Sequence, residues 1–254
     1  MNNFNEIINE CDLSFSDWGK NYPRWSPIDF VWWQTFGGVD YLNKYKDSYI
    51  VFHREKIKEI ARQYKIPAIL LASVAHAEAG GMVDYFKYPT LFGRQVVYSY
   101  GGWSGMEKII PPPEKTSIGI IAMQIRVVAE IFGKNPSELK NAEATYISIC
   151  LNKDNFNLTM VARHLYELIN YDYPGTDTLN LTDEQFILAG SRYNRGIKRS
   201  RSDFIRSIND VEKISYEERD WTSYGRTRLN HREKITKLLY EVTTPVQPQN
   251  GGNN

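Results

Sequence analysis

Residues 66–81 contain the side chain best placed for chemistry, a glutamate near the end of an apolar helix. Pro67 favours the first turn of this helix, and Gly80 favours its end. Three apolar residues share a face with Glu78 at i, i+3, i+4 and i+7: Leu71, Val74 and Ala75. A carboxyl group on an apolar face loses hydration, which raises its pKa and keeps a proton available near neutral pH. We therefore predict that Glu78 is a general acid; the alternative is a half-exposed glutamate at a helix end.

Helical spacing recurs through the chain and predicts a mainly α-helical fold. The spacing of Ile121, Ile125, Val128 and Phe132 predicts one helix, capped by Thr116 or Ser117. Two further helices are predicted, one by the apolar spacing of residues 158–169 and one by the capping box of Thr182 and Gln185. Proline and glycine punctuate residues 82–116, which predicts a long irregular loop or a small hairpin there.

Composition and aromatic content suggest three parts. The 254 residues are 42% hydrophobic and 24% charged, as is common for globular proteins. Residues 1–50 are rich in aromatics, which predicts an N-terminal extension packed on the core. Residues 51–242 form the main domain, and the polar segment 243–254 is expected to be a disordered tail.

Charge, cysteines and histidines exclude several function classes. The net charge of +1 gives no whole-molecule case for nucleic acid. The arginine-rich segment 192–237 is either a solvated surface or an attractor of an anionic polymer. Cys11 and Cys150 either pair or remain buried thiols. No apolar run is long enough to span a membrane. The histidines show no HExxH or other ligand spacing, so we expect no metal and no cofactor.

Three further motifs follow Glu78 in a fixed order: Ser-Ile-Gly-Ile-Ile-Ala-Met-Gln-Ile at 117–125, Asn-Leu at 157–158, and Arg-Tyr-Asn-Arg-Gly at 192–196. Together they resemble the lysozyme-like superfamily, most closely the soluble lytic transglycosylases and goose-type lysozymes. The resemblance covers residues 66–196 and implies a lysozyme-like helical domain, which we expect to be flanked by N- and C-terminal helical additions. The chain departs from the pattern where Ile121 replaces a glycine, where Arg192 replaces a small residue, and where Ala79 replaces a serine.

The resemblance implies roles for individual residues. Glu78 protonates the leaving glycosidic oxygen. Met123 and Gln124 line the cleft, Gln124 by hydrogen-bonding the sugar. Tyr193 lies near Glu78 and positions it or stabilises the transition state, while Asn194 holds a turn or contacts an N-acetyl group. The structural alternatives are packing for Met123, a core aromatic for Tyr193, and a helix cap for Asn194.

The number of carboxylates separates two reactions. A glycosidase that uses water as acceptor generally needs a second carboxylate about 5–9 Å from the first. A lytic transglycosylase can work with one glutamate, because the substrate's own N-acetyl group assists. Asp84 is the first candidate for a second acid because of its short tether to Glu78. Glu107 and Glu114 are the others, and an exposed loop acid is the alternative for each.

The resemblance implies a muramidase or lytic transglycosylase that cleaves the β-1,4 bond between N-acetylmuramic acid and N-acetylglucosamine in peptidoglycan. The first residues lack a Sec signal pattern. We therefore expect cytoplasmic synthesis and action in the periplasm of a target bacterium, as a type VI secretion effector. A phage lysin is the other route. An effector implies an immunity protein in the cleft and a secretion-system carrier. The rival classes are a non-catalytic peptidoglycan-binding module and a phage or secretion-particle component.

Overall fold

A computed structural model describes residues 3–13, 21–80, 84–100 and 110–241. The fold is mainly α-helical, with 73% of the structure in helices, which confirms the predicted class. The predicted disordered tail and Glu107 lie outside the described residues.

The secondary structure of the described residues is a series of helices with one short hairpin. The α-helices are α1 (Asn3–Leu13), α2 (Pro27–Trp32), α3 (Gly38–Gln63), α4 (Ala68–Glu78), α5 (Asp84–Tyr100), α6 (Ile125–Ile131), α7 (Asn141–Leu151), α8 (Asp154–Asp172), α9 (Asp183–Arg195), α10 (Arg201–Asn209), α11 (Tyr216–Asp220), α12 (Ser223–Asn230) and α13 (Arg232–Tyr240). The hairpin strands are β1 (Ser117–Ile118) and β2 (Met123–Gln124). A π-helical segment, Trp33–Gly37, joins α2 to α3, and two 3₁₀ turns lie at Pro113–Lys115 and Pro136–Glu138.

The chain forms two compact units. Unit 1 comprises Met1–Lys46 and Glu78–Met160, and unit 2 comprises Asp47–Ala77 and Val161–Asn254. The chain passes between them within α3, within α8 and before the last residue of α4. The predicted boundary at residue 50 falls inside the same helix, α3, in which the chain passes from unit 1 to unit 2 between Lys46 and Asp47.

Helix α4 begins where Pro67 predicted a helix start. The carbonyl of Pro67 accepts hydrogen bonds from the backbone N–H groups of Leu70 and Leu71, at 3.0 and 3.2 Å. Residues 70–76 are all buried, so this helix is enclosed on every side rather than along the single face that the spacing suggested. The helix is half-buried only at its two ends, at Ala68 and Ile69 and at Ala77 and Glu78.

The core of unit 1 lies around α6, α7 and the start of α8. Fully buried apolar side chains from these helices include Val128, Ile147 and Phe156. A disulfide bond joins Cys11 of α1 to Cys150 of α7, which decides between the two alternatives left open by the sequence. Because 139 residues separate the two cysteines, the bond constrains a large part of the unfolded chain.

The segment before α2 is anchored in unit 1 by the buried carboxylate of Asp154. This carboxylate accepts hydrogen bonds from the backbone N–H of Tyr22 at 2.6 Å and from Arg24 at 2.5 Å. The Trp25 ring lies 4.5 Å from the ring of Tyr45, whose hydroxyl donates to the Pro23 carbonyl. Side-chain contacts therefore hold this part of the aromatic N-terminal region within unit 1.

The next stretch of the N-terminal region carries an apolar ridge. Five of its large apolar side chains are between 51% and 78% exposed: Ile28, Val31, Trp32, Phe36 and Val39. The expectation that aromatic residues of this region pack against the core is therefore wrong for Trp32 and Phe36. An exposed apolar patch of this kind is typical of an interaction surface.

Residues 84–100 form helix α5, which corrects the predicted irregular loop in that part of the chain. The side chains that tie α5 to unit 1 recur at helical spacing. Lys87 donates to the Gly119 carbonyl at 2.7 Å, Leu91 is buried, and Arg94 donates to the Thr116 hydroxyl at 3.0 Å. This inward face is mostly polar, so hydrophobic periodicity could not reveal it.

Unit 2 packs α9 closely against α12. A Cβ added to Gly225 would lie 2.0 Å from the Ile187 carbonyl and 2.6 Å from the Ser191 hydroxyl, so only glycine fits there. The capping box of Thr182 and Gln185 begins α9 as predicted. Within the described ranges, no helix combines the length and the apolarity needed to cross a bilayer.

Candidate functional site

Glu78 lies at a helix end that is fixed by the residues after it. Ala79 is fully buried, and Gly80 ends the helix with φ +77°. A Cβ on Gly80 would lie 2.7 Å from the Leu42 side chain and 3.1 Å from the Tyr45 ring. The backbone at Glu78 is therefore fixed by the packing of the two residues that follow it, which is the kind of support that a general acid requires.

The motif at 117–125 folds as a β-hairpin rather than as the start of a helix. Ser117 pairs with Gln124 and Ile118 with Met123 in an antiparallel register. Helix α6 therefore begins only at Ile125, and neither Thr116 nor Ser117 caps it. The predicted cap is wrong because these residues precede a turn whose backbone is not helical.

Gly119 and Asn157 hold this hairpin turn. Gly119 has φ +86°, and a Cβ there would lie 2.4 Å from the Leu151 carbonyl. The Asn157 side chain accepts from the N–H of Ile121 at 2.9 Å and donates to the Ile121 carbonyl at 3.0 Å. Two of the motifs singled out in the sequence are thus joined by direct hydrogen bonds within unit 1.

This geometry predicts that Gly119→Ala destabilises the protein. The left-handed backbone costs an alanine about 1–2 kcal/mol, and forcing a methyl group against Leu151 adds about 1–3 kcal/mol. We expect the free energy of unfolding to fall by about 2–5 kcal/mol, measured by urea denaturation. Gly175→Ala is the matched control, because Gly175 has φ +79° but open space around it. Equal losses in the two variants would contradict the close contact.

Met123 and Gln124 form strand β2 and differ in exposure. Met123 is only 2% exposed, which places it in the core. Gln124 is half-buried, and its amide oxygen accepts a hydrogen bond from Arg126 at 2.6 Å. Among the described residues, its amide nitrogen has no hydrogen-bond partner and can donate to a ligand.

The three candidates for a second acid have different positions. Asp84 is the first residue of α5, and its side chain lies outside what the structure describes. Glu114 is half-buried in the 3₁₀ turn before the hairpin. Glu107 lies outside the described residues. A second carboxylate close to Glu78 therefore remains a prediction.

Tyr193 and Asn194 lie in the last turn of α9, in unit 2. Tyr193 is half-buried, with its ring centroid 6.0 Å from that of His164. Asn194 is exposed, and α9 ends at the next residue, Arg195, which is followed by Gly196 with φ +73°. The roles that the family resemblance implies for both residues stay predictions.

Arg192 stands where the motif has a small residue. It is buried near the end of α9, where several groups of unit 2 contact it. Its side chain is fully buried and forms a two-bond ion pair with Asp172, with both N···O distances 2.8 Å. It also donates to the carbonyls of Gly196 and Arg199, and its guanidinium lies 4.6 Å from the Phe204 ring centroid. Sequence reasoning missed this role because nothing in the chain distinguishes a buried arginine from a surface one.

A second polar cluster of unit 2 surrounds the carboxylate of Asp47 in α3. His76 is 4% exposed and donates to a carboxylate oxygen of Asp47 at 2.7 Å, and Lys234 donates to the same oxygen at 2.7 Å. The His231 ring centroid is 6.4 Å from that of His76. His76 is therefore a packed histidine, and it links α4 to α3.

Asp47 predicts that stability falls in acid. Burial by itself raises its pKa, but hydrogen bonds and charge from His76 and Lys234 outweigh burial and hold the pKa below its usual value. Its contribution is therefore present above the unfolded-state pKa of about 3.9 and is lost as the pH falls through the lower folded value. We expect the free energy of unfolding, measured from about pH 6 to about pH 2, to fall less steeply for Asp47→Asn. Asp183→Asn, which removes an exposed carboxylate, is the control, and wild-type steepness in Asp47→Asn would contradict the expectation.

The arginine-rich segment of unit 2 is occupied by internal contacts. Arg195 pairs with Asp220, Arg206 pairs with Glu218, and the Arg199 guanidinium lies 3.5 Å from the Trp221 ring centroid. These contacts favour the solvated surface over an attractor of an anionic polymer. An open cavity of about 650 Å³ also lies in this unit, lined by Glu184, Arg201, Ser202, Ile205, Arg206, Asn209 and Asp210. None of the site residues predicted from the sequence lines it.

Groups that could hold a metal were sought among the histidines, cysteines and acidic residues of the described ranges. No cluster of three or more such residues is found there. Comparison with protein-family models, curated proteins and solved structures finds no match to this chain.

Proposed function

We propose that this chain cleaves the glycan strands of peptidoglycan, with Glu78 as the general acid. The observation that carries the proposal is the composition of unit 1. Glu78, the last residue of a buried helix, belongs to unit 1, and the same unit contains the hairpin of residues 117–124 and the asparagine, Asn157, that holds it. This combination supports a lysozyme-like arrangement of the three motifs.

The proposed reaction breaks the β-1,4 bond between N-acetylmuramic acid and N-acetylglucosamine. Glu78 donates its proton to the leaving glycosidic oxygen as positive charge develops on the sugar ring. The Gln124 amide nitrogen supplies a hydrogen-bond donor for a sugar hydroxyl or acetamido oxygen.

Whether water or the substrate's own N-acetyl group completes the reaction depends on a second acid. If Asp84 or Glu114 lies about 5–9 Å from Glu78, water can be activated and the enzyme is a muramidase. With Glu78 acting alone, the substrate's N-acetyl group assists, the product closes to an anhydro sugar, and the enzyme is a lytic transglycosylase.

The deciding experiment is mass spectrometry of the soluble products released from purified peptidoglycan by the full chain. Reducing-end muropeptides support a hydrolytic muramidase, and anhydro-muropeptides support a lytic transglycosylase. The absence of both, together with retention of the protein on the insoluble glycan, would overturn the enzyme and favour the non-catalytic binding module.

The proposed setting is the periplasm of a target bacterium, reached as a type VI effector. An immunity protein that plugs the cleft and a secretion-system carrier are the proposed partners. Production of the effector in a periplasm without its immunity protein is then expected to lyse cells, as measured by the fall in culture turbidity.

The apolar ridge on residues 28–39 favours a second candidate, a phage or secretion-particle component that docks a protein. Trp32 and Phe36 are the aromatic anchors of such a surface, at 51% and 76% exposure. A component of this kind neither cleaves nor sediments with purified peptidoglycan, so the product experiment separates it from both glycan-directed functions.

A further inference from the structure

Lys153 is a buried lysine beside the disulfide of unit 1. It lies between α7 and α8 and is 4% exposed. Its Nζ is 3.3 Å from the Sγ of Cys11 and 3.3 Å from the Cys11 carbonyl oxygen. A cation is therefore held against one named sulfur of the Cys11–Cys150 bond.

The surroundings explain why the lysine is tolerated there. Cys11 lies in the last turn of α1, where the final carbonyl groups carry partial negative charge and favour a cation. Burial lowers the pKa of Lys153 to about 8, although the charge of Asp12 opposes this. The amine can therefore take up or release a proton close to neutral pH.

We infer that the Cys11–Cys150 disulfide is a thiol-exchange site at which Lys153 sets the direction of reaction. An incoming thiolate attacks Cys150 Sγ, and Cys11 leaves as the thiolate. The reason is that a leaving thiol departs faster when its pKa is low, and a neighbouring ammonium lowers the pKa of a cysteine. This inference does not depend on the proposed glycan chemistry.

The complete reaction needs a dithiol reductant. Its first thiolate forms a bond to Cys150 Sγ, the Cys11–Cys150 bond breaks, and the electron pair moves to Cys11 Sγ. The reductant's second thiolate then attacks its own sulfur in the mixed disulfide and releases Cys150. The reductant becomes a cyclic disulfide, the protein gains two electrons, and the two protons lost by the reductant end on Cys11 and Cys150.

Both sulfurs are fully buried, so exchange requires a local opening that exposes Cys150 while Cys11 stays beside Lys153. Helix α1 is also held to α7 by an edge-on contact between Phe4 and Tyr146, with ring centroids 5.8 Å apart. Reduction removes the covalent tie and leaves such contacts to hold the helix. Reduction by thiols would therefore weaken the attachment of α1 to α7.

The direct test identifies the cysteine that receives the thiol. The oxidised full chain is exposed briefly to glutathione, quenched with N-ethylmaleimide and mapped by peptide mass spectrometry. We expect glutathione on Cys150 and maleimide on Cys11, with a preference of about tenfold over the reverse. Equal labelling of the two cysteines, or glutathione mainly on Cys11, would overturn the inference.

Three variants test the lysine itself. Lys153→Met is expected to abolish the preference and to slow reduction by dithiothreitol about tenfold, whereas Lys153→Arg keeps the preference. Lys134→Met is the matched control, because Lys134 also contacts α1, but through the ring of Phe4 rather than through the sulfur of Cys11. An undiminished preference in Lys153→Met would overturn the role of Lys153. If Lys153→Met does not fold, Lys153→Arg decides. Loss of the preference for Cys150 in Lys153→Arg would overturn the role of Lys153, and a retained preference would support it.

Discussion

Glu78→Gln is expected to lower the rate of muropeptide release by about 10²–10⁴-fold, the usual contribution of a positioned general acid. Glutamine has nearly the same shape as glutamic acid but cannot give up a proton to the glycosidic oxygen. Because Ala79 and Gly80 fix the helix end, we expect the variant to fold and to bind insoluble peptidoglycan as the wild type does. Rates are measured by mass spectrometry of soluble products, and binding by sedimentation.

Glu130→Gln is the matched control for this variant. Glu130 also lies in the last turn of a helix in unit 1, but it is exposed and pairs with Arg126. We expect its release rate to stay within about twofold of wild type, since exposed ion pairs contribute little. Wild-type activity in Glu78→Gln would assign the proton donor to another residue, and equal losses in both variants would point to a non-specific effect.

Local signals in the sequence predicted the helices whose ends are marked by strong capping residues. Pro67 and Gly80 bracket α4, and Thr182 with Gln185 begins α9. In these places the backbone itself restricts the conformation, so no tertiary information is needed. The mainly α-helical class follows from such helices.

Elements held by polar contacts escaped prediction. Helix α5 contains Pro89, which is unusual inside a helix. Polar side chains such as Lys87 and Arg94 join it to the rest of unit 1, so the helix has no apolar stripe. The hairpin was interpreted as a helix because Ile121 and Ile125 have helical spacing. The positive φ of Gly119 and the hydrogen bonds from Asn157 override that spacing, and both depend on residues distant in sequence.

The candidate site was predictable only in part for the same reason. The motif order placed Glu78 and Gln124 among the candidates, and both are half-buried, as a site residue must be to exclude water and still reach substrate. Met123 matched the motif equally well but is a core residue. Matching residue types therefore locate a motif, whereas burial separates the residues that can contact a ligand from those that pack behind them.

Breaking the buried ion pair of unit 2 is the largest stability change that we expect. Arg192→Met leaves the Asp172 carboxylate, 2% exposed, without its main partner, and Asp172→Asn leaves the Arg192 guanidinium uncompensated. Removing one partner of a buried pair costs about 3–5 kcal/mol. We expect each single variant to lose that much free energy of unfolding in urea denaturation, with an unchanged dependence on urea concentration.

The double variant Arg192→Met with Asp172→Leu separates the charge pair from simple packing. Apolar side chains of similar volume avoid the desolvation cost, so we expect the double variant to be more stable than either single one. Arg195→Met, which breaks the exposed pair with Asp220 on the same helix, should cost less than about 1 kcal/mol. A loss below about 1 kcal/mol in Arg192→Met as well would mean that water replaces the arginine. The larger loss would explain how the chain tolerates an arginine where the resembling family has a small residue, because Asp172 and the carbonyls of Gly196 and Arg199 supply the partners that its burial requires.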